Sequence, residues 1–295
     1  MPGRQICVLI ALLSVMGSAL AEPRVFVDDT GHEVTLDAPA ERIVSLAPSV
    51  TENLFAAGAG GRVVAVVEHS DYPPAARRIP RVGSAQRLDV EGIVGREPDL
   101  VIGWASGNPS SSVDRLRELG IPVYMMEARE PLDIARNLEQ MGMMSGNQST
   151  AQAAAKEFRE RYSNLRTEYE GRDRVSIFYQ IWNEPLMTVN GDHLISALIR
   201  DCGGENVFSD LRSLAPRIDV EAVLVRDPDG IIASGSDDGA PEWLDEWGRW
   251  SQLAAIRGDN VYSIPPDLIQ RQTPRILAAM AQLCEHIEST RATRP

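Results

Sequence analysis

The sequence predicts an α/β fold of two similar lobes, each built on a central, mostly parallel sheet, joined by a single long helix. Three observations carry this expectation. Residues 87–103 (RLDVEGIVGREPDLVIG) and 217–233 (RIDVEAVLVRDPDGIIA) are identical at eight of seventeen positions, and most of the others exchange one apolar residue for another. One repeat at so long a separation indicates two similarly built halves and not a solenoid array. Short apolar runs alternate with helical patterns in both halves, as a parallel sheet covered by helices requires. Between the halves, Ala151, Ala155, Phe158, Tyr162, Leu165 and Tyr169 recur at three- and four-residue steps among charged residues. That spacing predicts one helix over 149–169, a rod of roughly 33 Å that could run the length of a small lobe.

In chain order, Arg4, the apolar run from Ile6 to Met16 and Ala19-Leu20-Ala21 have the layout of a cleavable export signal over 1–21. The run is too short to span a bilayer. Residues 22–146 are assigned to the first lobe, 147–171 to the joining helix and 172–295 to the second lobe. A hairpin is expected over 25–36, around Asp28-Asp29-Thr30-Gly31. A buried strand at 42–46 follows, then a helix from about Ser49, where Ser49 and Glu52 have capping-box spacing and Gly58 stops the helix. Further strands are expected at 63–67, 100–103 and 123–126, with helices at 90–95, 112–119 and 131–141. In the second lobe, strands are expected at 175–180, 230–233 and 261–264. A final helix is expected to open at Thr273-Pro274, with proline in its first turn.

The formal net charge of −13 disfavours nucleic acid and anionic lipid as partners and favours a basic protein surface. Cys7 is removed with the signal, which leaves Cys202 and Cys284. An even number in an exported chain is read as one disulfide within the second lobe, the alternative being two buried free thiols. Enzyme signatures are scarce. There is no Gly-x-Ser-x-Gly elbow, and Gly58-Ala-Gly-Gly61 follows a helix where a phosphate loop must precede one. The four histidines lack metal-ligand spacing and no Cys-x-x-Cys occurs, so neither catalysis nor a free-ion site is expected.

Binding features are richer. Trp104 and Trp182 each follow an apolar strand, and are read as matching aromatic walls of a cleft between the lobes. Trp247 and Trp250, at helical spacing, are read as core. His69-Ser70-Asp71-Tyr72 follows the second strand at the carboxyl edge of the sheet, where ligands bind in such folds. An imidazole there can contact or ligate a metal-centred ligand. Asp267, Arg271 and Arg275 lie between the last strand and the last helix, facing the same cleft.

Taken together, Arg42-Ile-Val-Ser-Leu-Ala-Pro-Ser-Val-Thr-Glu52, Ser70-Asp-Tyr-Pro-Pro74, Glu97-Pro-Asp-Leu-Val-Ile-Gly-Trp104, Cys202-Gly-Gly-Glu-Asn206 and Thr273-Pro-Arg275 resemble the periplasmic cobalamin-binding proteins of vitamin-uptake ABC transporters. The resemblance runs from about Arg42 to the end of the last helix. It implies a class III periplasmic binding protein of the helical-backbone metal receptor superfamily, with cobalamin or a related corrinoid held between lobes of limited hinge motion. It also implies delivery by a protein that is monomeric when free to a dimeric ABC permease with its ATPase. The family's ligand contacts fall on His69, Trp104 and the segment Asp267-Leu268-Ile269-Gln270-Arg271, and its disulfide on Cys202 with Cys284. With Ser70, Asp71, Tyr72 and Trp182, these form the candidate ligand set. The glutamates that dock on permease arginines fall on Glu91 and Glu221, equivalent residues of the internal repeat. The sequence departs from the best-known members at His69, where they carry tyrosine, at Ala85 and Ala215, where they carry tryptophan, and at Leu268 and Ile269, which replace aromatics. The leading hairpin is more similar to haem and ferric-siderophore receptors of the superfamily, which keeps haem or a siderophore as the alternative ligand.

Overall fold

The computed structural model describes residues 23–235 and 241–294; the export signal read at 1–21 lies outside the described residues. In chain order, β1 (Arg24–Val27) and β2 (Glu33–Leu36) form an antiparallel hairpin. The first lobe then runs β3 (Ile43–Ser45), α1 (Pro48–Ala56), β4 (Val63–Val66), the two-residue pair β5 (Gly83–Ser84) and β6 (Arg87–Leu88), α2 (Val90–Val94), β7 (Leu100–Trp104), α3 (Ser110–Glu118), β8 (Val123–Met126) and α4 (Pro131–Ser145). The joining helix is α5 (Gln148–Tyr169). The second lobe runs β9 (Val175–Gln180), α6 (Leu194–Asp201), β10 (Gly204–Asn206), α7 (Val220–Arg226), β11 (Gly230–Ser234), α8 (Ala254–Arg257), β12 (Val261–Ile264), α9 (Pro266–Ile269) and α10 (Ile276–Thr293).

Both sheets have the same topology. The first is ordered β4-β3-β7-β8 and the second β10-β9-β11-β12, all neighbours parallel. In each lobe the second strand lies on one side of the first and the third on the other. The order reverses between β3 and β7, and again between β9 and β11, and a crevice opens at the strands' carboxyl ends there.

The internal repeat is reproduced in the structure down to single hydrogen bonds. Asp89 caps α2 by accepting from the Gly92 N–H at 2.9 Å, and Asp219 caps α7 by accepting from the Ala222 N–H at 2.8 Å. Glu97 and Asp227, also equivalent, both take the left-handed conformation after their helices, with φ of 48° and 40°. Asp99 accepts from the Arg42 N–H at the head of β3, and Asp229 from the Ser176 N–H in β9. In both lobes the repeat aspartate thus ties the third strand to the head of the first.

The helix expected over 149–169 begins one residue earlier and buries Ala151, Ala155, Phe158 and Tyr162. Its neighbour α4 opens with a reciprocal Glu130–Asp133 capping box and ends at left-handed Gly146. At Gly142 a Cβ would lie 2.2 Å from the Ala151 Cβ, so the closeness of α4 to α5 depends on that glycine. One apolar cluster runs from the hairpin (Phe26, Val34) through α5 to Val175, Leu198 and Leu283. The lobes therefore share a core, which opposes wide hinge opening. Cys202 and Cys284 are joined in a disulfide between the end of α6 and α10.

Three local expectations need correction. No capping box forms at Ser49: α1 starts at Pro48 without a side-chain cap, and Glu52 is buried, facing the other lobe. The final helix starts at Ile276 with Arg275 as its cap, so Pro274 precedes it and is not in its first turn. Trp104 and Trp182 do not match: Trp104 ends the third strand of its sheet, where the repeat equivalent is Ser234, whereas Trp182 follows the first strand of its sheet. Trp247 is core, edge-on to Phe178, and half-buried Trp250 packs against the same cluster.

Candidate functional site

A hollow of about 320 Å³ lies where the carboxyl edge of the first sheet faces the α9–α10 connection. His69 and Trp104 line it from the first lobe, Asp267, Gln270 and Arg271 from the second. Its floor is stitched by Asn108, whose amide donates to the Leu46 and Ala85 carbonyls at 2.9 Å each and whose Oδ1 accepts from the Trp104 N–H at 2.7 Å. Loops after three neighbouring strands are thereby held in one arrangement.

The Trp104 indole is fixed on two sides. Its Nε1 donates to Glu127 Oε1 at 3.3 Å. A Cβ on Gly107 would sit 1.8 Å from its Cε3, so the ring lies directly against the glycine backbone. The same Glu127 oxygen accepts from Gln272 of the second lobe at 2.8 Å, which links the aromatic wall to the seam between lobes.

That seam is ionic. Arg271 donates to Glu52 and Asp71, both at 2.8 Å, and pairs with Asp267 at 2.6 Å. Arg275 grips both oxygens of Glu52 at 2.6 and 2.9 Å, and its guanidinium lies 3.9 Å from the Tyr72 ring centre. The Glu52 side chain is 2% exposed. Burial alone would lower the Arg271 pKa, but the Glu52 and Asp71 hydrogen bonds outweigh it and hold the guanidinium charged. Burial pushes Asp71 up, yet the Arg271 contact brings its carboxyl below the usual range. The Glu52 hydrogen bonds likewise raise the Arg275 pKa, so both guanidiniums are held charged. His193, by contrast, caps α6 through Nδ1, and burial pulls its pKa down to about 4, so it is neutral and structural.

The sequence-derived candidates separate into groups. His69, in the left-handed region with φ 61°, is exposed and lines the hollow with Trp104, Asp267, Gln270 and Arg271. Ser70 turns inward: it is 1% exposed and accepts from the Thr51 hydroxyl at 3.1 Å. Ile269 points into the shared core, and half-buried Leu268 packs against it. The left-handed turn at His69 and the single turn of α9 send successive side chains in opposite directions, so these three do not line the hollow. Asp71 and Tyr72 act on the seam by holding Arg271 and Arg275. Trp182 is exposed and lines a second hollow of about 370 Å³ with Trp243; the two hollows share Pro266 and Gln270 as a common wall. Gln270 bonds across that wall to the Ser234 hydroxyl at 2.6 Å. Glu52, Glu127 and Gln272 were not read as site residues because the fold alone brings their partners to them: Glu52 is identified by its pairing with Arg271 and Arg275, and Glu127 and Gln272 by their bond to each other beneath Trp104. Among the described residues no group of three or more His, Cys, Asp or Glu side chains is placed to hold a metal ion, and no helix is long and apolar enough to cross a membrane.

Residues 43–268 match the family of periplasmic binding proteins. The vitamin B12-binding protein of Vibrio parahaemolyticus is 39% identical over 260 residues, 87% of this chain and 92% of that protein. The crystal structure of the periplasmic vitamin B12 binding protein of Vibrio cholerae shares 37% identity and has a TM-score of 0.80, covering 86% of this chain and 98% of that one. A periplasmic heme-binding protein from Roseiflexus sp. RS-1, at 21% identity and a TM-score of 0.74 over 85% of this chain and 99% of that one, shares the fold. The chain belongs to the periplasmic binding protein family and stands within it beside the vitamin B12-binding proteins.

Proposed function

We propose that the protein is exported to the periplasm by its leading segment, captures cobalamin or a related corrinoid between its lobes, and hands it to an ABC importer without catalysing a reaction. The observation that carries this reading is the convergence on one hollow of His69 and Trp104 from the first lobe with Asp267 and Arg271 from the second. The relatives' ligand supplies the chemical class. A corrin is broad and rigid, and the two adjoining hollows, about 320 and 370 Å³, give it a groove longer than either alone. Affinity comes from enclosed macrocycle area over Trp104 and from polar contacts of Arg271 and Gln270 with peripheral amides. The ionic seam and the shared core hold the lobes near their binding separation before the ligand arrives, which reduces the ordering cost of capture. Delivery uses Glu91 and Glu221, exposed residues at the same turn of α2 and α7. Both helices lead from the carboxyl edge of their sheet back to a parallel strand, so both glutamates flank the cleft.

Incubation with cyanocobalamin or haemin followed by gel filtration tests the ligand class. A corrinoid spectrum that co-elutes with the protein is expected, whereas a retained haem Soret band without corrinoid would replace the reading with haem transport. Two variants probe the wall. Gly107→Ala pushes the indole of Trp104 from its seat and is expected to weaken corrinoid binding at least tenfold, about 1.4 kcal/mol; unchanged affinity in a calorimetric titration would remove Trp104 from the site. His69→Ala is expected to weaken binding several-fold, and displaced visible bands of the bound corrinoid would identify the imidazole as an axial ligand to cobalt. Full affinity with an unchanged spectrum would exclude His69 from ligand contact.

A further inference from the structure

Glu127 stands at the base of the aromatic wall, directly after β8, and is 8% exposed. Its carboxylate is met by three neutral N–H donors: Oε1 accepts from Trp104 Nε1 at 3.3 Å and from Gln272 Nε2 at 2.8 Å, and Oε2 accepts from the Ser106 N–H at 2.9 Å. Only a group that accepts at both atoms satisfies all three, and an amide does not. The indole bond is the longest of the three, so it depends on the other two for the place of its acceptor. The main chain of Glu127 is fixed as well: its N–H donates to Asp29 Oδ2 at 2.7 Å, and Arg136 donates to Asp29 Oδ1 at 2.9 Å. The leading hairpin, which takes no part in the binding reading, thus braces the wall through Asp29. Gln272 comes from the second lobe and is held by the first at three points. Besides its bond to Glu127, its Oε1 accepts from the Ala128 N–H at 3.1 Å, and its main-chain carbonyl accepts from the Asn53 amide at 2.8 Å.

We propose that Glu127 is a positioning residue that joins the Trp104 wall and the contact between the lobes into one unit, with Gln272 as the second lobe's half of the latch. The indole is held ready for a ligand only while Gln272 stays docked. Spreading the lobes breaks the Gln272 bond and leaves the carboxylate anchored by the Ser106 N–H alone. The long indole bond then loses its fixed acceptor, so the wall loosens as the cleft opens. The ionic seam has no such reach, because its bonds run from Arg271 and Arg275 to Glu52, Asp71 and Asp267. Both contacts come from one short connection of the second lobe, but only the latch at Gln272 bears on the aromatic wall. The inference rests on the corrinoid reading for its affinity measurements alone; the place of the indole is read without ligand.

The test is fluorine NMR of the protein carrying fluorotryptophan, with the Trp104 signal assigned by its loss in Trp104→Phe, alongside cyanocobalamin titration of the same variants. Gln272→Ala is expected to shift or broaden the Trp104 signal without ligand and to weaken cyanocobalamin binding about tenfold, the scale of one hydrogen bond to a charged group. Trp104→Phe combined with Gln272→Ala should bind about threefold better than the product of the single losses predicts, as coupled residues do. The exchanged pair Glu127→Gln, Gln272→Glu rejoins the lobes, since the new amide can donate to the new carboxylate while accepting from Ser106, but it leaves the indole without an acceptor. It is expected to regain the thermal midpoint lost in Gln272→Ala with the Trp104 signal still displaced. An unmoved Trp104 signal in Gln272→Ala, or fully multiplicative losses in the combined variant, would overturn the inference and reduce Glu127 to a buried group with satisfied bonds. Return of the signal in the exchanged pair would overturn it too, because the indole would then need no carboxylate. Absence of cyanocobalamin binding by the unsubstituted protein would overturn the corrinoid reading instead, and the fluorine signal would still decide the latch.

Discussion

Replacing Glu52 with alanine is expected to destabilise the folded protein by about 3 to 5 kcal/mol, the range seen when one member of a buried ion pair is removed. The Glu52 carboxylate is almost wholly enclosed and is shared by two guanidiniums, with Arg271 itself only 11% exposed. Its removal leaves two cations side by side on the second lobe's edge of the seam, with Asp71 and Asp267 as the remaining carboxylates on Arg271. For a chain of this size, each kcal/mol moves the thermal midpoint by roughly 2 to 4 °C, so a fall of about 10 °C is expected. Glu52→Gln should fall less, because an amide oxygen still accepts from one arginine. The effect should reach function as well, since Arg271 lines the hollow, and corrinoid affinity should drop with stability. Differential scanning calorimetry decides it: a midpoint within 2 °C of the unsubstituted protein would show that the seam does not hold the lobes.

Loss of the disulfide is the other large effect. Cys202 and Cys284 are 82 positions apart, and closing a loop of that length restricts the unfolded chain by roughly 4 to 5 kcal/mol in the chain-entropy treatment. Both cysteines are fully buried in the core that joins α6 to α10. The Cys202→Ala, Cys284→Ala double variant is therefore expected to melt about 10 °C lower than the oxidised protein while keeping its ligand affinity, because neither residue lines a hollow. Calorimetry and titration of the same sample separate the two outcomes. Equal stability would mean that the reduced, unfolded chain is already as restricted as the oxidised one.

Sequence alone revealed the parts of this protein whose causes are local or repeated. The repeat marked α2–β7 and α7–β11 as equivalent, and the structure extends the equivalence to caps, left-handed residues and the strand-anchoring aspartates. The three- and four-residue steps from Ala151 to Tyr169 placed α5 to within a residue, since one buried stripe determines it. The seam was not legible. Ser49 and Glu52 have the spacing of a capping box, but the real partners of Glu52 are Arg271 and Arg275, more than two hundred positions away, and no local pattern carries such a pairing. Ser70 and Ile269 were drawn into the candidate site by their neighbours, although a left-handed residue and a one-turn helix reverse the direction of consecutive side chains. Trp104 and Trp182 looked alike because each follows an apolar strand; only sheet order distinguishes a third strand from a first.

In the proposed function a corrinoid occupies the groove between the lobes. Isothermal titration of the oxidised protein with cyanocobalamin is the deciding measurement. Saturable binding of one molecule per chain, weakened by Gly107→Ala and retained in the Glu91→Ala, Glu221→Ala variant, is expected. No heat of binding with cyanocobalamin, together with saturable binding of haemin or a ferric siderophore, would contradict it.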